Sequence, residues 1–133
     1  MLEEIGQRAI DLTGGSETVA ALLVLWMSGL LSGVIDNIPY TVTMLPIVDQ
    51  LNLGIYGDEA RSSNVLWWSL AIGADMGGNL TIIGASANVL VANLADRAGQ
   101  PISFWEFLRW GSVTVVGTLA IATVYIWLRY FVM

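Results

Sequence analysis

Residues 62–95 read SSNVLWWSLAIGADMGGNLTIIGASANVLVANLA, and this stretch decides the fold. Its only charged residue is Asp75, so most of it can lie inside a membrane. As one straight helix it would be about 50 Å long, well beyond the ~30 Å hydrocarbon core of a bilayer. The pair Gly77-Gly78 and the single Gly84 disfavour helix. The pattern therefore predicts a broken helix, with one half ending near Asp75 and the second beginning at residues 86–88.

The interrupted region is rich in groups that can bind an ion or a polar substrate. Non-helical backbone at membrane depth is tolerated only where protein buries it or water lines it. A carboxylate at that depth costs several kcal/mol, so its default interpretation is functional. Asp75 can instead cap a helix, and the glycines can serve close packing alone. The polar side chains between the two halves are Asn79, Thr81, Ser86 and Asn88.

A second break is predicted within residues 18–53, which form two apolar arms around the polar sequence Asp36-Asn37-Ile38-Pro39. Pro39 lacks a backbone donor and biases Ile38 away from helical geometry, so the helix should break there. Either residues 18–35 cross the membrane outright, or the two arms form a re-entrant hairpin. The uncharged part of the second arm ends at Asp49, and this shortness favours the hairpin. Asp36 is then a second intramembrane carboxylate, unless it only caps a helix.

The remaining segments predict ordinary membrane elements. Ser103 and Glu106 form an S-x-x-E capping box, which predicts a short interfacial helix over 103–110. Residues 110–131 contain a 19-residue uncharged run and predict a transmembrane helix. The arginines near 97 and 109 place their connection on the cytoplasmic side, and the polar connection Asn52–Asn64 then faces outward.

The composition agrees with a single all-α integral membrane domain over residues 1–133. Of the 133 residues, 56% are hydrophobic and 12% are charged, about half the roughly 25% of soluble domains. The mean hydropathy is +0.69. These values exclude an ordinary soluble enzyme and a disordered chain. The net charge of −6 excludes a nucleic-acid partner. The chain has no Cys and no His, and no nucleophile–base pair or metal cluster is visible, so we expect no enzyme.

Two stretches together carry a family resemblance. SGVIDNIPYTVTMLPIV at 32–48, followed by GADMGGNLTIIGASAN at 73–88, resembles the C-terminal half of permeases of the ion-transporter superfamily. Within it, the sequence is most similar to the group of arsenite permeases, citrate-transporter-like proteins and NhaD-type Na⁺/H⁺ antiporters. The resemblance extends from about Ser16 to the end.

The resemblance implies one repeat of an inverted-repeat secondary carrier, built from a re-entrant helical hairpin, a discontinuous transmembrane helix, a short interfacial helix and a C-terminal transmembrane helix. Such a carrier works by alternating access, either moving a small anion or exchanging Na⁺ for H⁺. It would be a multi-pass protein of a bacterial or archaeal inner membrane, often a homodimer. Beyond the lipid bilayer and a small ion or carboxylate substrate, the partner implied is the missing N-terminal repeat.

The resemblance also implies which residues of this sequence form the site. The hairpin tip corresponds to Asp36, Asn37 and Pro39, and the unwound loop to Gly77, Gly78, Asn79, Thr81, Gly84, Ser86, Ala87 and Asn88. Together with Asp75, these residues other than Ala87 are the candidate substrate- or ion-binding residues. A coupling Na⁺ is expected near Asp36, Asn37, Asn79 and Asn88, unless H⁺ is the coupling ion, and no other cofactor is expected.

The resemblance leaves function open in two respects. Because the first repeat is absent, the chain is either part of a transporter, a non-transporting subunit with a separate first-repeat partner, or a degenerate fragment. The substrate is arsenite, citrate or another carboxylate, or Na⁺. The absence of Lys and Arg from the predicted site favours cation-coupled or antiport chemistry. Unpaired backbone groups in the loop 77–88 should require a counterpart from the other repeat.

Overall fold

The computed structural model describes residues 4, 8, 11, 13–57 and 64–132, and this part of the chain is helical without any strand. The predicted outward connection lies partly outside the described residues, together with Asp58, Glu59 and Arg61. The elements are α1 (Glu17–Ser32), α2 (Asn37–Tyr56), α3 (Val65–Gly77), a 3₁₀ turn (Ile82–Gly84), α4 (Ser86–Arg97), α5 (Phe104–Trp127) and a final π-helical turn (Leu128–Val132).

Side-chain caps fix where three of the helices begin. Ser16 Oγ accepts a hydrogen bond from Val19 N at 3.5 Å at the start of α1. Asp36 Oδ1 accepts one from Ile38 N at 3.1 Å at the start of α2. Ser103 Oγ accepts one from Glu106 N at 3.2 Å, as expected for the serine of a capping box. These bonds satisfy backbone donors that have no partner inside the helix.

Glycine allows α1 and α3 to pack backbone against backbone, and this is the most extensive helix pair in the described chain. A Cβ on Gly73 would overlap the carbonyl oxygen of Leu25, and one on Gly77 would overlap the carbonyl oxygen of Gly29. On its other side Gly29 faces Leu119 of α5, whose Cδ1 would lie 2.5 Å from an added Cβ. The core therefore consists of α1, α3 and α5, and α2 packs along α3 and adds Tyr40, Val48 and Leu51 to it.

The second arm of the predicted hairpin is longer than the sequence pattern indicated. It forms the 20-residue helix α2, whereas the first arm, α1, has 16 residues. The helix continues through Pro46 and through Asp49, whose side chain is exposed, so the charge does not end the segment. Pro39 lies in the first turn of α2, where its missing N–H has no helical partner to lose. The break precedes it, at 33–36.

The interfacial and transmembrane helices predicted over 103–110 and 110–131 are one continuous helix, and the expected separation is wrong. Residues Phe104–Val132 form the helical segment that is long and apolar enough to cross a membrane, by length and composition, among the described residues. Gly111 does not interrupt it. A Cβ there would lie 2.5 Å from the carbonyl oxygen of Leu80, so this glycine provides space for a neighbouring loop.

Candidate functional site

The two helix breaks meet in space. We call residues 33–36, between α1 and α2, the first break, and residues 78–85, between α3 and α4, the second break. Thr81 Oγ1 donates a buried 2.6 Å hydrogen bond to the carbonyl oxygen of Gly33. An added Cβ on Gly33 would lie 2.5 Å from Leu80 Cβ, and one on Gly84 would lie 3.0 Å from Gly33 O. The first break and the second break are therefore in direct contact.

The loop amides are engaged with backbone carbonyl groups. Asn88 Nδ2 donates to Gly78 O at 2.8 Å and to Thr81 O at 3.0 Å, so it links the start of α4 to the second break. Asn79 Nδ2 donates to Met76 O at 3.3 Å. The Asn88 amide thus stabilises unwound backbone and the Asn79 amide stabilises the last turn of α3, while their Oδ1 atoms remain acceptors.

These bonds change the expectation about unpaired loop groups. Three carbonyl oxygens of the breaks, those of Gly33, Gly78 and Thr81, accept side-chain bonds from Thr81 and Asn88. Ser32 Oγ adds a buried 2.8 Å bond to Ala74 O near the end of α3. These four carbonyl groups are therefore paired within the chain and need no counterpart from a second repeat. Ser32 was not among the predicted residues, although its position four residues before Asp36 on a small-residue face could have indicated it.

The hairpin-tip residues lie at the start of α2. The Asp36 carboxylate caps that helix, which is its structural interpretation, and a cap bond leaves its second oxygen available. Asn37 Nδ2 would lie 3.4 Å from a Cβ on Gly78, so this amide borders the second break. Pro39 is exposed in the first turn. The tip therefore offers one carboxylate oxygen and one amide close to the junction.

Asp75 occupies a cleft of about 360 Å³ between α2 and α3, which it shares with Asn37 and Thr41. The side chain is exposed and lies in the last turn of α3, where no basic residue accompanies it. A negative charge is unfavourable at a helix C-terminus, because the backbone dipole already places negative potential there. A cation bound in this cleft would offset both the charge of the Asp75 carboxylate and the negative potential at the end of α3. Thr41 was missed by the sequence analysis, and its spacing of four residues from Asn37 was the available signal.

The other predicted residues divide between packing and exposure. Gly77, Gly78 and Gly84 are buried and have backbone atoms of neighbouring segments within the space of a Cβ. Ser86 and Ala87 are exposed at the start of α4, which has no side-chain cap. Of the four residues proposed for Na⁺, two line different clefts. Asn37 borders the cleft of Asp75, and Asn79 borders another cleft against α5.

The contact with α5 gives the position of the junction along the axis of that helix. Gly111 contacts the second break and is seven residues beyond the start of α5 at Phe104, which corresponds to about 10 Å along the helix axis. From Gly111 the helical segment continues to Val132, about 30 Å further. The junction is thus alongside the interior of the helix and away from both of its ends.

Comparison with known proteins identifies the family. The family model CitMHS, described as "Citrate transporter", matches residues 1–73, which is more than half of the chain. The chain belongs to this citrate transporter family. Members of the family are transporters and not enzymes, and they are membrane proteins. The resemblance to the ion-transporter superfamily is thereby confirmed.

Relatives of this member of the citrate transporter family are found in bacteria and in animals. An "Uncharacterized transporter" of Mycobacterium tuberculosis is 50% identical over 133 residues, covering 100% of the chain and 30% of that protein. A "46 kDa membrane protein" of Mycobacterium leprae is 47% identical over 133 residues, again 100% of the chain and 30% of the relative. The "P protein" of Homo sapiens is 43% identical over 107 residues, 80% of the chain and 12% of that protein. No solved structure matches.

Proposed function

We propose that this chain is the C-terminal repeat of a secondary active carrier in a cell membrane, and that the junction of the two breaks is its contribution to the transport site. The observation that carries the proposal is the buried bond between Thr81 and Gly33, which joins the breaks. Broken helices at a repeat interface are the usual architecture of substrate and ion sites in such carriers. The chain spans about 30% of the length of its mycobacterial relatives, as one part of a longer carrier would.

The position of the junction supports a re-entrant arrangement. Both α1 and α2 leave the first break in the same general direction, because residues from Ala20 to Leu31 and from Tyr40 to Leu51 line one common groove. With the junction about 10 Å inside the start of α5, the tip stops partway across the helical layer. The hairpin itself remains a proposal, since the short second arm that first favoured it is in fact a long helix.

The chemistry of the junction favours a cation as the coupling species. The cleft beside the first break contains the Asp75 carboxylate, the Asn37 amide and the Thr41 hydroxyl, and no Lys or Arg lines it. Thr41 Oγ1 donates to Asn37 O at 2.7 Å, so its lone pairs remain for a ligand. Oxygen ligands of this kind suit Na⁺ or a transferred proton better than a multivalent anion. We infer Na⁺/H⁺ exchange, or cation-coupled uptake of a small anion.

A second candidate is a non-transporting subunit that needs a separate first-repeat partner. It is favoured by α4, which has no buried residue and exposes Leu90, Val91 and Leu94. A helix this uncovered can belong equally to an accessory subunit. Flux measurements separate the two candidates.

The test uses Asp36→Asn and Asp75→Asn in the carrier assembled with its first repeat, reconstituted in liposomes. Asn caps helices as well as Asp does, so Asp36→Asn removes the charge and keeps α2 intact. We expect each substitution to reduce Na⁺- or H⁺-coupled flux at least tenfold while the protein still inserts. Asp49→Asn, on an exposed face of α2, is the matched control and should transport normally. Unchanged flux and coupling in both variants would exclude these carboxylates from the site.

A further inference from the structure

A cleft of about 410 Å³ lies between the second break and the first turns of α5. It is lined by Asn79 from the break and by Glu106, Phe107, Trp110 and Thr114 from α5. This cleft is separate from the one that contains Asp75, and the proposed transport function makes no use of its carboxylate. The question is which ligand its groups would bind.

The polar groups of the cleft are mainly free acceptors. Thr114 Oγ1 uses its hydrogen to donate to Trp110 O at 3.0 Å, and Asn79 Nδ2 donates to Met76 O. Within the described residues, the Glu106 carboxylate makes no hydrogen bond or ion pair. What remains as acceptors is a carboxylate, an amide oxygen and hydroxyl lone pairs, next to the rings of Phe107 and Trp110, with the second Asn79 N–H and the indole N–H as donors. This combination attracts a cation that carries N–H donors.

The position on α5 identifies the source of such a cation. Glu106 lies in the first turn of the helix that is long enough to cross the membrane. Trp105 and Trp110 beside it are 75% and 65% exposed, as expected where aromatic side chains lie at the level of lipid headgroups. Arg109 is exposed three residues after Glu106, and positions three apart are neighbours on a helix surface. A carboxylate and a guanidinium so placed match the ammonium and the phosphate of a zwitterionic lipid.

We propose that this cleft binds the primary ammonium headgroup of a phospholipid such as phosphatidylethanolamine, with Glu106 as its charged acceptor. The inference requires the chain to lie in a membrane and does not depend on the transport reaction. Phosphatidylcholine offers a cation without N–H donors, and phosphatidylglycerol offers no cation. The acceptors therefore predict an order of affinity, with phosphatidylethanolamine bound most tightly.

The test is native mass spectrometry of the purified 133-residue chain in detergent, titrated separately with the three phospholipids. We expect phosphatidylethanolamine to bind about tenfold more tightly than the other two, as a charge-assisted hydrogen bond allows. Glu106→Gln should abolish the preference. Glu17→Gln, which removes a carboxylate from the first turn of α1, is the matched control and should retain it.

Three results would overturn the proposal. One is an unchanged preference in Glu106→Gln, and another is an equal loss in Glu17→Gln, which would indicate a general charge effect. The third is competition by soluble O-phosphoethanolamine at concentrations near those of the lipid, which would assign the cleft to a free amine. If Glu106→Gln does not fold by circular dichroism, Glu106→Ala replaces it, and a preference that persists there is equally contrary.

Discussion

At the scale of single residues, the contact between α1 and α3 depends on the absence of a side chain. Gly77 places its Cα against the backbone of Gly29, and Ser32 Oγ would lie 2.5 Å from an added Cβ. Between helices in a membrane, small residues permit the close approach from which packing energy comes. The same contact brings Gly33 towards Leu80, so the packing of two helices also sets the position of the junction.

Gly77→Ala should therefore destabilise the protein. A methyl group would meet backbone atoms, which cannot rotate away, and overpacking of this kind costs about 1–3 kcal/mol. The measurement is the free energy of unfolding in mixed micelles. Gly117→Ala is the control, because Gly117 lies in α5 with nothing within 4 Å of an added Cβ. There, alanine should be neutral or stabilise the helix by up to about 1 kcal/mol. Equal effects of the two substitutions would contradict the packing argument.

Thr81 provides the second prediction at this scale. Thr81→Val keeps the shape of the side chain but leaves the buried carbonyl oxygen of Gly33 without its donor. We expect a loss of about 1–2 kcal/mol in the free energy of unfolding, measured as for Gly77. Thr81→Ser retains the hydroxyl and should lose less. In the control Thr43→Val, the lost bond joins an exposed hydroxyl to Pro39 O within one helix, and little change is expected. A Thr81→Val protein as stable as the control would show that the bond contributes nothing.

At the scale of helices, the sequence predicted the breaks better than the continuous segments. Glycines and polar residues inside an apolar run disfavour helix locally, so the interruption after α3 could be predicted from residues 77–88 alone. The length of α2 could not be predicted in this way. Asp49 ends the uncharged run, although its side chain can extend outward from a helix that continues. The role of Gly111 could not be predicted either. Whether a glycine ends a helix or admits a neighbour depends on a contact with Leu80 that is remote in sequence.

In the site, too, local features could be predicted from the sequence and contacts between remote residues could not. Residue types indicated which part of the chain would be polar and unwound, and the structure brings both breaks together. The sequence could not tell that the Asn88 amide faces two backbone carbonyl groups, because that depends on how the loop folds. Nor could it separate Asn37 from Asn79, which border different clefts. Whether these residues bind an ion therefore stays a prediction.

The topology of α1 and α2 gives a prediction for these helices. If they form a re-entrant hairpin, single cysteines at Ser16 and Leu53 should react with a membrane-impermeant reagent from the same side. Both residues are exposed, whereas the neighbouring Asn52 is buried and would be a poor reporter. Val34→Cys at the tip is 62% exposed in the chain and should be shielded by the bilayer. Labelling of positions 16 and 53 from opposite sides would mean that one arm crosses completely.

At the scale of the whole molecule, the chain has a well-packed centre and an uncovered edge. α1, α2, α3 and α5 bury the core, and side chains at the junction pair the carbonyl oxygens of Gly33 and Gly78. α4 in contrast contributes no buried residue, and Leu90, Val91 and Leu94 lie on one face of it at helical spacing. A carrier that moves one repeat against another needs such a surface for the second repeat or for lipid.

This arrangement predicts that the chain by itself inserts and stays folded but does not transport. The paired carbonyl oxygens of Gly33 and Thr81 favour a folded chain, whereas alternating access requires a second unit on the other side of the site. The measurement is reconstitution of the 133-residue chain alone and with the first repeat co-expressed, following uptake of Na⁺, H⁺, arsenite and citrate. Flux should appear only in the second case. Saturable, substrate-selective flux from a verified monomer would refute the proposed half-carrier, because one junction would then suffice for a complete transport cycle.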